Sequence, residues 1–428
     1  MKIFFPILFL ELYLIFTLLL FFFGPIQFQL HNPILFIMTL STYHIASILG
    51  YYIGLKSFKF STKNYDKALT GKQFYTGFFF AVLAVLLSYQ NIMLSNTFVP
   101  YNLFSDVYEG LIDPAEAYAE RIQAGAADVK GASSYRRTIN ILSLLFAFFK
   151  LYFIFFVCYF WSGFSFIQKT LSISYFCLFL SPGFASGANS VIFKFFIFSI
   201  TSSLIIVYFR SPEIFKRIAV VLGISFLIPI GFFGYIMSRR GGGFEYFEQT
   251  APQGEIVVSA TSSSLSGFFE FYYYSFVWLT YYLVQGYYGF SLILSRDWNW
   301  TFGFGSSDFL QRQLLKLTGI DITDITFQAQ ISDQWSSAQW HSFYGHFAND
   351  FGFVGLSSLM FFIGFFLARV WASIIYNDSF YGKCLIPIFT LMFIFFPANN
   401  QVFGYIDTLS YFVCLSILWI FERNNLRH

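Results

Sequence analysis

Charged residues are scarce in this chain of 428 residues, at 11% of the composition. A soluble domain carries about 25% charged residues, so this sequence cannot build a water-facing surface over its whole length. Hydrophobic residues make up 57% of the chain and fall into repeated runs of roughly 20 residues, the length that crosses a bilayer as a helix. These features exclude a soluble enzyme and predict an all-α polytopic membrane protein, with residues 1–428 forming one integral-membrane domain.

Cysteine is equally scarce, and all four cysteines lie within apolar segments, where lone thiols pack as small residues: Cys158, Cys177, Cys384 and Cys414. Their spacing supports neither a disulfide framework nor a zinc site. The net charge of +3 comes without a basic tail, so no nucleic-acid partner is expected. No Asp-x-Asp metal motif stands out either, and we predict neither a metal ion nor a cofactor.

About ten apolar segments are predicted to span the membrane, and the first of them is too long and too evenly apolar for a cleaved signal peptide. The segments are 3–23, 33–55, 73–95, 139–161, 171–186, 190–208, 218–237, 351–374, 383–397 and 403–421. The stretch 268–295 is also apolar but contains seven tyrosines. Because tyrosine favours the membrane interface, we predict an interfacial Tyr-rich helix there, and eleven spans are the alternative.

The distribution of basic residues orients these spans, since short loops rich in Lys and Arg stay in the cytoplasm. The loop 55–73 holds five lysines and one acid, and Arg423 and Arg427 lie near the carboxyl end. Both termini are therefore predicted to be cytoplasmic. Regions 96–138 and 238–350 are predicted to be external loops that form a cap over a site, and Asp113-Pro114 in the first has the pattern of a helix start.

Arg239 and Arg240 follow a predicted span on the external side, where basic pairs are unexpected. Guanidinium groups bind phosphate oxygens through two parallel hydrogen bonds, so the pair is a candidate for binding a lipid-linked diphosphate, with Gly241 to Gly243 allowing close backbone approach. An anchor to ordinary lipid phosphates is the alternative. Lys194, near the external end of its span, and Arg296 are further candidates. Lys150 lies deeper, and Glu11 is its predicted counter-charge.

Four tryptophans lie in or beside the acidic part of the second external region: Trp298, Trp300, Trp335 and Trp340. Indole rings stack on the C–H faces of sugars while neighbouring carboxylates bind the hydroxyls, so we predict a sugar-binding role. An aromatic belt at the membrane interface is the alternative for any one of them.

His341, His346 and Asp350 lie close together just before a predicted span. In a helix, His346 and Asp350 share one face, and a carboxylate there would orient the imidazole. Such a pair can serve as a general base toward a hydroxyl group, so these three residues are the candidate catalytic set. The alternative for Asp350 is a helix cap at the start of the span.

The same stretch carries a family resemblance. Ser342-Phe343-Tyr344-Gly345, then Asp350-Phe351-Gly352 with Gly355, resembles the carboxyl-terminal signature of Wzy-type O-antigen and oligosaccharide repeat-unit polymerases. Tyr281-Tyr282-Leu283-Val284-Gln285-Gly286 is similar to the segment that precedes their large external loop. The turn at 186–189 departs from the pattern, because some relatives have an arginine there. Either Lys194 takes that role or the role is absent.

The resemblance implies a membrane glycosyltransferase of the GT-C type at the outer face of the bacterial inner membrane. Its substrate would be an undecaprenyl-diphosphate-linked glycan, and its partners would include membrane lipid, a chain-length regulator and a flippase. In that reaction a sugar hydroxyl of one repeat unit attacks the anomeric carbon of the growing chain, and undecaprenyl diphosphate leaves. An O-antigen ligase, which transfers to lipid A core, and a flippase or transporter of lipid-linked oligosaccharide are the alternatives.

Overall fold

The computed structural model describes residues 2–58, 71–93, 100–129, 134–241, 256–258, 268–336 and 339–425. Most of the lysine-rich loop 55–73, parts of both predicted external regions, Gly242, Gly243 and Arg427 lie outside the described residues. Within these residues the chain is almost entirely helical, with one antiparallel pair of short strands, β1 (Ile26–Phe28) and β2 (Ile256–Val258).

Sixteen α-helices occur in the described part of the chain. They are α1 (Phe5–Phe23), α2 (Pro33–Lys56), α3 (Gly71–Met93), α4 (Leu103–Ile112), α5 (Pro114–Val129), α6 (Ser134–Phe160), α7 (Phe166–Ala185), α8 (Asn189–Arg210), α9 (Phe215–Ser225), α10 (Leu227–Gly241), α11 (Phe268–Ile293), α12 (Asp308–Thr318), α13 (Phe327–Gln330), α14 (Phe343–Asn377), α15 (Phe380–Ile394) and α16 (Ile406–Asn425).

The prediction of an all-α membrane protein is confirmed at this level. Seven helical stretches of the described chain are long and apolar enough to cross a membrane: 2–23, 33–56, 71–93, 138–163, 189–210, 215–240 and 343–377. The predicted spans 171–186, 383–397 and 403–421 also correspond to helices, namely α7, α15 and α16. Large apolar side chains such as Leu12 and Ile34 are well exposed, as expected for helices that contact lipid.

Short polar side chains define where several helices begin. The Asn32 side chain accepts a hydrogen bond from the Leu35 backbone N–H, with Pro33 as the first residue of α2. Ser342 caps α14 in the same way through the Gly345 N–H. These bonds satisfy backbone donors that a helix leaves free at its amino end.

The prediction of an interfacial helix needs correction, because α11 is enclosed by other elements along most of its length. Val277, Val284 and Tyr287 are completely buried. The Tyr287 ring packs against Phe21 of α1, and the Phe290 ring packs against Tyr344 of α14. Tyrosine content therefore reflects aromatic packing inside the bundle here, and no broad side of the helix after Tyr274 is left to lie on a lipid surface.

Helices α2 and α14 pack so closely that their backbones touch. A β-carbon added at Gly364 would lie 2.0 Å from the Ser47 carbonyl oxygen, and one added at Gly50 would lie 1.9 Å from the Phe361 carbonyl oxygen. Small residues commonly permit such contact between membrane helices. The tight pair holds the middle of α14 against a rigid neighbour.

Candidate functional site

An apolar cavity of about 600 Å³ extends through the helical bundle. Its deep end is lined by Phe5, Tyr208 and Trp371. Along one wall, α8 lines the cavity from Asn189 to Tyr208, which are 19 residues apart and therefore separated by about 28 Å along a helix axis. That length is close to the roughly 30 Å thickness of the hydrocarbon core, so the cavity fits a long, flexible apolar chain.

The opposite end of the cavity has a polar lining, and we call it the polar mouth; its residues include Tyr118, Arg121, Asn189, Arg240, Gln401 and Tyr405. The Arg240 guanidinium carbon lies 3.4 Å from the centre of the Tyr118 ring, and that of Arg121 lies 5.6 Å from the same ring. Two cations on different helices are therefore brought together around one aromatic ring. This arrangement suits an anion that two guanidinium groups bind together.

The elbow between α4 and α5 positions Arg121 at the polar mouth. Asp113 caps α5, because its Oδ1 accepts hydrogen bonds from the backbone N–H groups of Ala115 (3.2 Å) and Glu116 (3.0 Å), as the sequence predicts. Gly187 has a φ of +58° and packs against the Pro114 carbonyl, where a β-carbon would lie 2.4 Å from the oxygen. A residue with a side chain would push α5 away from the cavity.

The side chains of the predicted arginine pair, Arg239 and Arg240, point in different directions from α10. Arg240 lines the polar mouth, whereas Arg239 points outward, is exposed, and lies 5.7 Å from the Tyr235 ring. Consecutive residues on a helix point about 100° apart, so they cannot share one face. Arg296 follows α11 and is not among the residues that line the cavity. Arg121, which the sequence did not single out, is the second cation of the site.

Lys194 lies behind the polar mouth and not in it. Its ammonium group is 3.7 Å from the Asp407 carboxylate and 3.8 Å from the centre of the Tyr405 ring. The Lys150 ammonium is 3.2 Å from the same carboxylate, so two lysines share one acid. The predicted Lys150–Glu11 pair is wrong, because Glu11 instead binds His44 at 2.7 Å. The surplus positive charge next to Tyr405 favours an anion at the mouth.

The two histidines occupy different environments. His341 is buried against α11, with its Nδ1 close to Gly289, and neither His341 nor His346 is among the residues that line the cavity. Burial, aided by the nearby His346, lowers the pKa of His341 to about 3, so this imidazole is uncharged at neutral pH. The two rings are 6.3 Å apart and perpendicular.

His346 has a carboxylate neighbour, but not the one predicted. Its Nδ1 lies 4.0 Å from Asp308 Oδ1, at the start of α12, and its ring is hydrogen-bonded to the Asn399 side chain. Asp308 is also within electrostatic reach of Tyr405, together with Arg121 and Arg312. His346 does not line the cavity itself, but Asp308 connects it electrostatically to Tyr405 of the polar mouth. The carboxylate beside His346 is therefore Asp308, and not Asp350 as the spacing predicts.

Asp350 is occupied elsewhere. Its carboxylate accepts three hydrogen bonds from the loop 301–306: from the Thr301 hydroxyl at 2.5 Å, the Gly305 N–H at 3.0 Å and the Ser306 N–H at 2.8 Å. It neither pairs with His346 nor caps the start of α14, where Ser342 is the cap. Two residues later, Gly352 interrupts α14 with a φ of +63°. Asp350 thus fastens the loop 301–306 to the helix.

Removing this carboxylate tests that structural role. We expect Asp350→Ala to destabilise the protein by about 3–5 kcal/mol, because three donors are left in an interior site without an acceptor. The measurement is thermal unfolding in detergent, followed by tryptophan fluorescence. Asp333→Ala, at an exposed position of the same external region, is the control and should leave the unfolding temperature unchanged. An equally small effect at Asp350 would contradict the role.

The four predicted sugar-binding tryptophans do not form one shared binding surface. Trp335 is completely buried, so it cannot stack on a sugar. Trp340 lines the cavity and packs edge-on against Tyr282, with ring centres 4.7 Å apart. Trp298 and Trp300 are exposed on the loop after α11, and Trp298 donates a hydrogen bond to the Asn349 carbonyl. Of these four tryptophans, Trp340 is the one that lines the cavity.

The chain matches no protein-family model, no curated protein and no solved structure. Among the described residues, no three His, Cys, Asp or Glu side chains are grouped as a metal ion would require.

Proposed function

We propose that the protein is a membrane glycosyltransferase that polymerises undecaprenyl-diphosphate-linked oligosaccharide repeat units at the outer face of the bacterial inner membrane. The observation that carries this proposal is the 600 Å³ apolar cavity with Arg121 and Arg240 at one end. A ligand with a long apolar tail and an anionic head complements that distribution of charge and hydropathy. The resemblance of the 342–355 segment to repeat-unit polymerases supports the same conclusion.

In the proposed orientation, the polar mouth faces outward and both chain termini are cytoplasmic. Nine of the ten predicted spans each correspond to one helix of the described chain, and 218–237 corresponds to the consecutive helices α9 and α10. The short helices α4, α5 and α12 fall in the two predicted external regions. The diphosphate would then lie at headgroup depth, with the polyprenyl tail in the cavity. An external acceptor sugar could approach from above α5 and α12.

The proposed reaction forms one C–O bond and breaks another. The acceptor hydroxyl oxygen attacks the anomeric carbon of the donor, and the bond from that carbon to the phosphate oxygen breaks. The hydroxyl proton moves to His346, whose cationic form Asp308 stabilises, 4.0 Å away. Negative charge develops on the leaving diphosphate, where Arg121 and Arg240 stabilise it. No cofactor is required by this sequence of events.

The same geometry argues against the transporter alternative. A transporter moves a polar head across the membrane and places polar groups along its path. The deep wall of this cavity is built from side chains such as Phe9, Phe215 and Trp371, which would not bind a sugar diphosphate. A ligase uses the same chemistry with a different acceptor, so the surface glycan of a deletion strain is needed to tell a ligase from a polymerase.

Deletion of the gene tests the polymerase proposal through the surface glycan. We expect cells without the protein to carry single repeat units on the surface carrier in place of long chains, because flipping and ligation still operate. The measurement is gel electrophoresis and mass spectrometry of the extracted glycan. Complete loss of the glycan from the carrier would instead identify a ligase or a flippase, and unchanged chain lengths would contradict all three functions.

A further inference from the structure

Gln401 is a buried side chain at the polar mouth, and its amide group does not stabilise the described part of the fold through hydrogen bonds. It is 2% exposed and lines the cavity. Apart from a contact with the Tyr405 hydroxyl, its amide nitrogen and oxygen have no hydrogen-bond partner among the described residues. Burying an amide without partners costs free energy, so a group that binds these atoms in the working enzyme is the natural explanation.

Neighbouring residues show that Gln401 has no structural task of this kind. Asn400 donates a hydrogen bond to the Ser306 carbonyl and accepts one from the Phe403 N–H, which ties the turn before α16 to the external loop. The backbone carbonyl of Gln401 accepts a hydrogen bond from Thr408. The turn is therefore held by Asn400 and by backbone groups, while the Gln401 amide is turned toward the cavity.

Asn189 is a second amide side chain in the lining of this cavity. It is the first residue of α8. Its side-chain oxygen is buried without a partner among the described residues, and its nitrogen has only a weak contact of 3.9 Å with the Met237 sulfur. The residue does not cap its helix, since no side-chain capping bond is present at that end.

Gln401 has contacts toward both the cations and the proposed base, and Asn189 lines the same cavity. Gln401 contacts Tyr405, which is within electrostatic reach of both Arg121 and Asp308. Two residues before Gln401, the Asn399 side chain binds His346. In a glycosyl transfer, the sugar joined to the diphosphate must occupy this position, because its anomeric carbon is bonded to the phosphate and is attacked by the acceptor oxygen.

We propose that Gln401 and Asn189 bind the first sugar of the lipid-linked donor. Each amide offers a carbonyl oxygen and N–H donors, which together match a sugar that carries a hydroxyl or acetamido group next to the anomeric carbon. A site built to hydrogen-bond a substrate group rejects an analogue that lacks it far more strongly than an apolar pocket does. The pair would therefore determine which donor sugar is accepted. This inference rests on the proposed function.

The test compares two probes bound to the full-length protein in lipid nanodiscs. One probe is undecaprenyl diphosphate, and the other is the lipid-linked repeat unit extracted from cells that lack the gene. The variants are Gln401→Leu and Asn189→Ala. Gln90→Leu is the matched control, because Gln90 is also buried with an unpartnered amide among the described residues but does not line the cavity.

We expect the wild-type protein to bind the repeat unit at least about tenfold more tightly than undecaprenyl diphosphate, and Gln401→Leu to lose that difference. Asn189→Ala should reduce it, while Gln90→Leu should keep it. If both cavity variants keep the full difference in affinity between the two probes, or if the wild type shows no such difference, the proposed sugar site is wrong while the proposed function stands. If undecaprenyl diphosphate does not bind the wild type, or binds Arg240→Ala equally well, the proposed function fails instead.

Discussion

Replacing Arg240 with alanine is expected to lower kcat/KM for the lipid-linked repeat unit by about 100- to 1,000-fold. The guanidinium lies at the polar mouth, stacked on Tyr118 at 3.4 Å, and would stabilise the charge that develops on the departing diphosphate. The measurement is the rate of polymer formation in proteoliposomes, read from the ladder of glycan lengths on a gel. Both the donor and the acceptor can be the extracted repeat unit.

The adjacent residue provides the control for this variant. Arg239→Ala removes the same charge from the same helical turn, but its side chain is exposed and directed away from the cavity. We expect it to change kcat/KM by no more than about threefold, as for a charge at the rim of a site. Equal losses at both positions would show that the arginines act through the general surface potential and not through the mouth.

Arg121 should be coupled to Arg240, since both guanidinium groups approach one tyrosine ring. Groups that bind one ligand together give effects that do not add. The double variant Arg121→Ala/Arg240→Ala should therefore lose much less activity than the product of the two single losses. Strict additivity would mean that the two cations do not bind the same anion.

Replacing His346 with alanine is expected to reduce kcat by about 100- to 10,000-fold, the usual contribution of a general base. His346 is the histidine with a carboxylate neighbour, Asp308 Oδ1 at 4.0 Å, and its ring is bound to Asn399 beside the cavity-lining Gln401. The rate of polymer formation under saturating repeat unit measures the change. Binding of undecaprenyl diphosphate should be retained, because the diphosphate contacts the arginines.

His341→Asn is the matched variant. His341 is buried and, unlike His346, has no ion pair with a carboxylate in the described part of the chain. We expect the change to lower the unfolding temperature, while the folded fraction keeps kcat within about threefold because the group that transfers the proton is still present. The sequence placed both histidines in the catalytic set and could not separate them. If His341→Asn stops turnover and His346→Ala does not, the roles are reversed.

Spacing along the chain correctly indicated several local features of the site. Asp113 caps α5 as predicted, because an amino-terminal cap depends on residues within one helical turn. His341 and His346 lie on either side of the first residue of α14, Phe343. The spacing of His346 and Asp350 suggested a pair, yet spacing states only that two side chains share a helix face. The loop 301–306 supplies three donors to Asp350, and those donors are more than forty residues away.

The sequence alone did not indicate the partners of Lys150 or the second cation of the mouth. Lys150 and Asp407 are 257 residues apart, and Glu11 appeared the better partner only because it also lies inside an apolar span. Arg121 was one of several charges in a region with balanced signs. The pattern Tyr118-x-x-Arg121 on one helical face, opposite a cation at another helix end, is the signal that could have identified it.

The class of this protein, the positions of its apolar helices and the starts of several of them can be predicted from the sequence. These properties depend on local hydropathy and on backbone groups that must be bonded within each membrane helix. Which charges meet and which stay apart is visible in the folded chain and not in the sequence: Arg121 joins Arg240, Asp308 replaces Asp350 beside His346, and Asp407 binds two lysines. Electrostatic partners depend on distances between helices, and the order of residues along the chain does not contain those distances.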